Sequence, residues 1–146
     1  MVPNRSRIRN SDSRRYCDWM EHAGEDLEAA KVLLGPDDLL DAAAFHCQQC
    51  IEKALKGYLL FTTNNPVDGH NLTWLCRQAV KRDTRFQEWL DESAALNHFY
   101  IETRYPSDIP LELSKASVIT LFQMAKSMYV FICGEMGITP VNGARP

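Results

Sequence analysis

Apolar side chains recur every three or four residues in stretch after stretch of this chain, and no alternating stretch of useful length interrupts them. That period confines the fold to helices. The last stretch shows it most plainly, with Val118, Leu121, Phe122, Ala125, Met128, Tyr129 and Ile132 on one stripe and Gly134 and Gly137 near its end. From Tyr16 to Leu34, a first helix places Trp19, Ala23, Leu27, Ala30 and Leu34 on one face and Asp18, Glu21, Glu25 and Glu28 on the other, and Gly35-Pro36 stops it. A second helix is expected from about Leu39 to Phe61, with Cys47, Cys50, Ile51, Ala54, Leu55, Tyr58 and Phe61 on one side. Gln49, Glu52, Lys53 and Lys56 fall opposite, yet Phe45, Leu59 and Leu60 flank them, which puts this helix at the centre of a bundle or in a subunit interface.

A loop with Asn64-Asn65-Pro66 and Asp68-Gly69 leads to a short third helix carrying Leu72, Leu75, Cys76, Ala79 and Val80, with Asn71 as its cap. A fourth helix carries Phe86, Trp89, Leu90, Leu96, Phe99 and Tyr100 and ends near Tyr105, because Pro106 and Pro110 punctuate the stretch beyond it. The expected fold is therefore all-α, an up-and-down antiparallel bundle of four to five helices.

At 146 residues the chain is long enough for one domain with a sizeable core. The expected division is a flexible basic tail over 1–15, the bundle over 16–137 and a flexible tail over 138–146. The overall charge of -3 is unevenly spread. The first fifteen residues hold five arginines against Asp12, a net of +4, which leaves -7 for the rest. A general attraction to duplex phosphate calls for the opposite sign, so any nucleic-acid contact is expected at a local site or through the tail. Continuous apolar runs are short and no signal-peptide core precedes the first helix, from which a cytoplasmic location is expected. The odd count of five cysteines, Cys17, Cys47, Cys50, Cys76 and Cys133, agrees with reduced thiols.

Cys47-Gln48-Gln49-Cys50 has the spacing of a redox or metal half-site, with His46 beside it. It lies inside a helix on the apolar stripe, and no second cysteine pair completes a zinc site, so core packing is the expected role. His22, His46, His70 and His98 show no metal-pair spacing, and no phosphate-binding glycine loop, dinucleotide fingerprint or serine-hydrolase motif occurs. The expectation is accordingly no metal, no cofactor and no assigned catalytic residue.

Two other sets carry more chemistry. Gln49, Glu52, Lys53 and Lys56 form a polar ladder that is either a solvated face or a groove whose lysines meet a phosphate or a carboxylate. In Tyr100-Ile101-Glu102-Thr103-Arg104-Tyr105-Pro106, Arg104 can clamp a phosphate while Tyr105 stacks on a base; the other reading pairs Arg104 with acids and packs Tyr105 under the loop. His70 is either a cap of the third helix or a ligand contact.

At these residues the chain resembles the HEPN family. The likeness is carried by Trp19, Asp26-Leu27 and Ala30, by Ala43 to Gln49 running into Glu52-Lys53-Ala54-Leu55-Lys56, by His70-Asn71-Leu72 with Leu75, and by Glu102-Thr103-Arg104-Tyr105-Pro106, over roughly residues 16–134. It implies a helical bundle, frequently a homodimer, that binds a nucleotide or RNA and is often encoded with a minimal nucleotidyltransferase as a toxin-antitoxin-like pair. Many members are ribonucleases with an Arg-x4-6-His motif. Here Arg104 is followed at the required positions by Ile109, Pro110 and Leu111, and Arg15 and His22 meet the spacing only in the first helix, away from the family's active site. Taken with the residue readings above, the expectation is a non-catalytic nucleotide- or RNA-binding module with Gln49, Lys53, Lys56, His70, Arg104 and Tyr105 as its candidate contacts. The alternatives are a ribonuclease that recruits His70 or His98 as a displaced base, and a purely protein-binding scaffold.

Overall fold

A computed structural model describes residues 12–102 and 113–140, the side chains of 99–102 excepted. Its elements run α1 (Tyr16–Leu33), α2 (Leu40–Thr63), α3 (Leu72–Val80), a 3-10 helix (Thr84–Trp89), α4 (Leu90–Glu102) and α5 (Lys115–Met136). No strand occurs among the described residues, and the fold is the all-α helical bundle that the periodicity predicts.

Several helices begin or end where local chemistry offers their terminal backbone groups a partner. Asn64 ends α2 in the left-handed conformation at φ 59°, with its N–H on the Leu60 carbonyl. Gly137 ends α5 in the same way at φ 69°, where a residue without a Cβ is unstrained. Asn71 caps α3, its side chain accepting from the Trp74 N–H at 2.9 Å, as expected from the sequence. Ser114 does the same for α5 through the Ser117 N–H.

The segment from Phe86 to Trp89 differs from expectation, because it is a 3-10 helix and α4 begins only at Leu90. Asp83 accepts from the Arg85 N–H and starts this tighter turn, which sets Phe86 fully inside the core. Phe86 meets Tyr58 at 4.6 Å and Phe131 at 5.1 Å between ring centroids, so the short helix is an aromatic anchor and not the first turn of a longer one.

α2 is the central element and packs against each of the other four helices. Ile51, Leu55 and Leu59 from α2, Leu27 from α1, Leu75 from α3, Leu96 from α4 and Met128, Tyr129 and Ile132 from α5 form one continuous core. The Tyr129 hydroxyl donates to the Met20 carbonyl at 3.2 Å and ties α5 to α1. By length and composition α5 could cross a membrane, and Val118, Leu121, Ala125, Met128, Ile132 and Cys133 on it are buried in the bundle.

α1 approaches α2 unusually closely at Gly57. A Cβ there would sit 2.8 Å from Met20 Sδ and 3.2 Å from Trp19 Cβ. The glycine therefore sets the distance between the two helices that frame the candidate site.

Candidate functional site

The polar ladder of α2 is not a solvated face. Glu52 is 4% exposed and Lys56 8%, and Gln48, which the period also assigns to α2's polar side, is fully buried. The ladder faces α1 and the loop before α3, and each of its charges has a partner. Lys53 Nζ lies 2.6 Å from Asp26 Oδ2, and His46 Nδ1 lies 2.8 Å from the other oxygen of the same carboxylate. One turn along α2, Lys56 Nζ lies 3.1 Å from Glu52 Oε2, and His70 Nδ1 reaches that oxygen at 2.9 Å.

The two halves share one design: a buried carboxylate holds a lysine and an imidazole, on its two oxygens in Asp26 and on a single oxygen in Glu52. Asp26 comes from α1 and binds two α2 side chains across the seam between the helices, whereas Glu52 pairs within α2 and with the loop before α3. The side-chain amides extend the Glu52 half, with Gln49 Nε2 donating to Gln48 Oε1 at 2.7 Å and to Glu52 Oε1 at 3.4 Å. Gln48 Nε2 in turn donates to the His70 carbonyl, which fastens the α2–α3 loop to the ladder. A buried ion is costly unless its remaining hydrogen-bonding capacity is used, and this network uses it.

Above the ladder opens a cleft of about 440 Å³, lined by Asp12, Trp19, Gln49, Glu52, Lys53, Lys56, Asp68 and His70. Trp19 forms a wall, with its indole N–H donating to the Ser13 carbonyl at 2.9 Å and Lys56 Nζ lying 5.8 Å from its ring centroid. Ser13 Oγ donates to Asp18 at 2.7 Å, so the residues just before α1 fold back along the cleft's edge.

Of the site residues expected from sequence, Gln49, Lys53, Lys56 and His70 line this one cleft. His70 is not the cap of α3, a role Asn71 fills, and its side chain turns to Glu52. Arg104 and Tyr105 lie outside the described residues. Four partners were not picked out as site residues from sequence: Asp26, His46, Gln48 and Trp19. Asp26 sits between the acidic and apolar faces of α1, a position that an acid takes only when something inside pairs with it.

The cysteine pair of α2 has no place in this chemistry. Burial pushes the Cys47 thiol up to about 12, and burial, followed by the nearby Cys47 and Asp26 groups, holds Cys50 well above the ordinary range. Both remain protonated at neutral pH, the state in which a thiol is a poor nucleophile and a poor metal ligand.

A family model described as HEPN domain matches residues 16–135. The crystal structure of TT1696 from Thermus thermophilus resembles the chain with a TM-score of 0.73 and 27% identity, covering 85% of this chain and 99% of that one. The crystal structure of ST0689, an archaeal HEPN homologue, resembles it with a TM-score of 0.67 and 24% identity, covering 84% and 98%, a likeness of fold alone. A comparison with curated proteins finds no match.

Proposed function

Because the chain belongs to the HEPN domain family, we propose that it is a non-catalytic module that binds a nucleotide or RNA in the cleft between α1 and α2. The observation that carries this reading is the pairing of Lys53 and Lys56 with buried carboxylates beneath an aromatic wall. A lysine ammonium has three donors, and each carboxylate takes one while fixing the side chain in place. Much of the ordering cost of binding phosphate is then already met in the unliganded protein.

The acidic members of the lining agree with a nucleotide better than with a bare phosphate. Asp12 and Asp68 are acceptors for ribose hydroxyls or for the amino edge of a base, while Lys53 and Lys56 meet the phosphate and Trp19 offers a ring for stacking. A cleft of this volume is within the range usual for small-molecule sites. Arg104 and Tyr105 complete the proposal, Arg104 as a phosphate clamp and Tyr105 as a second stacking surface. Asn97 of α4 accepts the Leu72 N–H at 2.8 Å, two residues from His70, which ties α4 to the end of the loop that carries His70. The working unit in this proposal is a cytoplasmic homodimer with a minimal nucleotidyltransferase as its partner.

Calorimetric titration of AMP and of a short RNA into the parent and Arg104→Ala, at matched salt, tests it. A loss of affinity of about tenfold or more in the variant is expected; equal affinity, with the fold intact, removes Arg104 from the site. A second reading has one observation behind it, since Glu52 orients the His70 ring as a carboxylate orients a general base. Incubation of RNA with parent, His70→Ala and His98→Ala decides that reading: cleavage lost in one variant supports it, and unchanged background in both excludes it.

A further inference from the structure

The outer face of α3 has the make-up of a second contact surface. Trp74 and Arg77 of α3 and Lys81, its C-cap, stand at steps of three and four, all on the solvent side, while Leu72, Leu75, Cys76 and Ala79 are turned into the core. Trp74 is 46% exposed, more than a residue of its size usually is when packing alone determines its place. Neither Arg77 nor Lys81 is ion-paired among the described residues; the Lys81 ammonium only donates to Gln78. The nearest acid in sequence, Asp83, is occupied by Arg85 at 2.8 Å.

The charge around this face runs against that of the body. Residues 71–85 hold Arg77, Lys81, Arg82 and Arg85 against Asp83, and Glu135 of α5 is also paired with Arg85, a balance of +2 within a body of -7. An exposed indole with cations on the same helical face fits a stacked base flanked by phosphates, and duplex surfaces present no unstacked base to such a ring. The stripe also starts at the rim of the cleft. His70, a lining residue, directly precedes the Asn71 cap, and Trp74 lies one turn further on.

We infer that the Trp74–Arg77–Lys81 face of α3 binds single-stranded RNA, continuing the strand whose first nucleotide occupies the α1–α2 cleft. The inference rests on the nucleotide reading of the cleft and selects a strand over a mononucleotide as the full ligand. From Trp74 to Lys81 the helix rises roughly 10 Å, enough for one stacked base and an adjoining phosphate. Trp74 supplies the stacking, which tolerates any base, and Arg77 and Lys81 supply salt-dependent phosphate contacts.

The test uses the full chain, a fluorescein-labelled 12-nucleotide oligouridylate read by anisotropy across a salt series, and AMP read by calorimetry. Trp74→Ala is expected to weaken 12-mer binding about five- to hundredfold, and Trp74→Phe to recover most of it. Arg77→Ala with Lys81→Ala is expected to flatten the slope of log affinity against log salt by roughly 1.4. AMP affinity is expected to stay unchanged in all three. A parent that does not bind the 12-mer, or variants that bind it as the parent does, overturns the inference. So does a change of sedimentation mass in Trp74→Ala, which would make this face a contact between protein copies. Binding of the 12-mer but not of AMP by the parent would fault the cleft reading alone, and the α3 variants would still decide the face.

Discussion

The two sides of α2 hold the molecule together in opposite ways. Toward Phe86, Met128 and Ile132 the contacts are apolar, aromatic rings meet at about 5 Å, and stability comes from area removed from water. Toward α1 the seam carries Asp26, His46, Lys53, Glu52 and Lys56, groups whose pairing roughly offsets the cost of burying them. An apolar filling would serve stability at least as well along that seam. The polar one agrees with the proposal that two lysines and an imidazole are held at fixed places beside a cleft for a ligand.

The sharpest way to break that contrast is to truncate one residue on each side. Phe86→Ala is expected to lower unfolding free energy by about 3–5 kcal/mol, read by urea melts, with no way to regain the loss. Glu52→Ala is expected to cost about 3 kcal/mol because it strands the Lys56 ammonium. The double change Glu52→Leu with Lys56→Met is expected to return stability to within about 1.5 kcal/mol of the parent while abolishing nucleotide binding. A double variant as unstable as Glu52→Ala would mean that the seam is structural after all.

A smaller effect sharpens the comparison from the backbone. Gly57→Ala is expected to cost about 1–3 kcal/mol by forcing Met20 and Trp19 away from α2, and to weaken nucleotide binding by moving Trp19 relative to Lys56. Unchanged stability there would show that the helices have room to spare. The smallest effect at neutral pH belongs to the thiols. In Cys47 and Cys50 the folded-state ionisation lies above that of the unfolded chain, so their contribution is complete below about pH 8.5 and declines as pH rises beyond it, for Cys47 until about 12. Melts across that window are expected to show a decline of up to about 1.4 kcal/mol per pH unit for each thiol, absent in a Cys47→Ala, Cys50→Ala variant.

How much of this could be read in the residues follows the same division. The core was legible because apolar period is a local signal: the stripe of α5, the central place of α2 and the Asn71 cap all stand as the spacing predicts. The 3-10 helix was not, since Phe86 and Trp89 fit a helical period and only the packing of Phe86 against Tyr58 and Phe131 distinguishes the tighter turn. The cleft was half legible. Gln49, Glu52, Lys53 and Lys56 share a face of one helix, but Asp26, the partner of Lys53, and His70, a partner of Glu52, come from elsewhere in the chain, and a spacing rule sees only one element at a time. Buried acids such as Asp26 are the signal that pattern reading passes over.

The central claim is that a nucleotide sits against Trp19 and the two paired lysines, and the three tryptophan indoles report on it directly. In ¹H–¹⁵N spectra of the full chain titrated with AMP, the Trp19 indole and the Gln48 and Gln49 side-chain amides are expected to shift, while Trp89 and Trp74 hold still. Shifts at Trp89 or Trp74 with Trp19 unmoved would contradict the account.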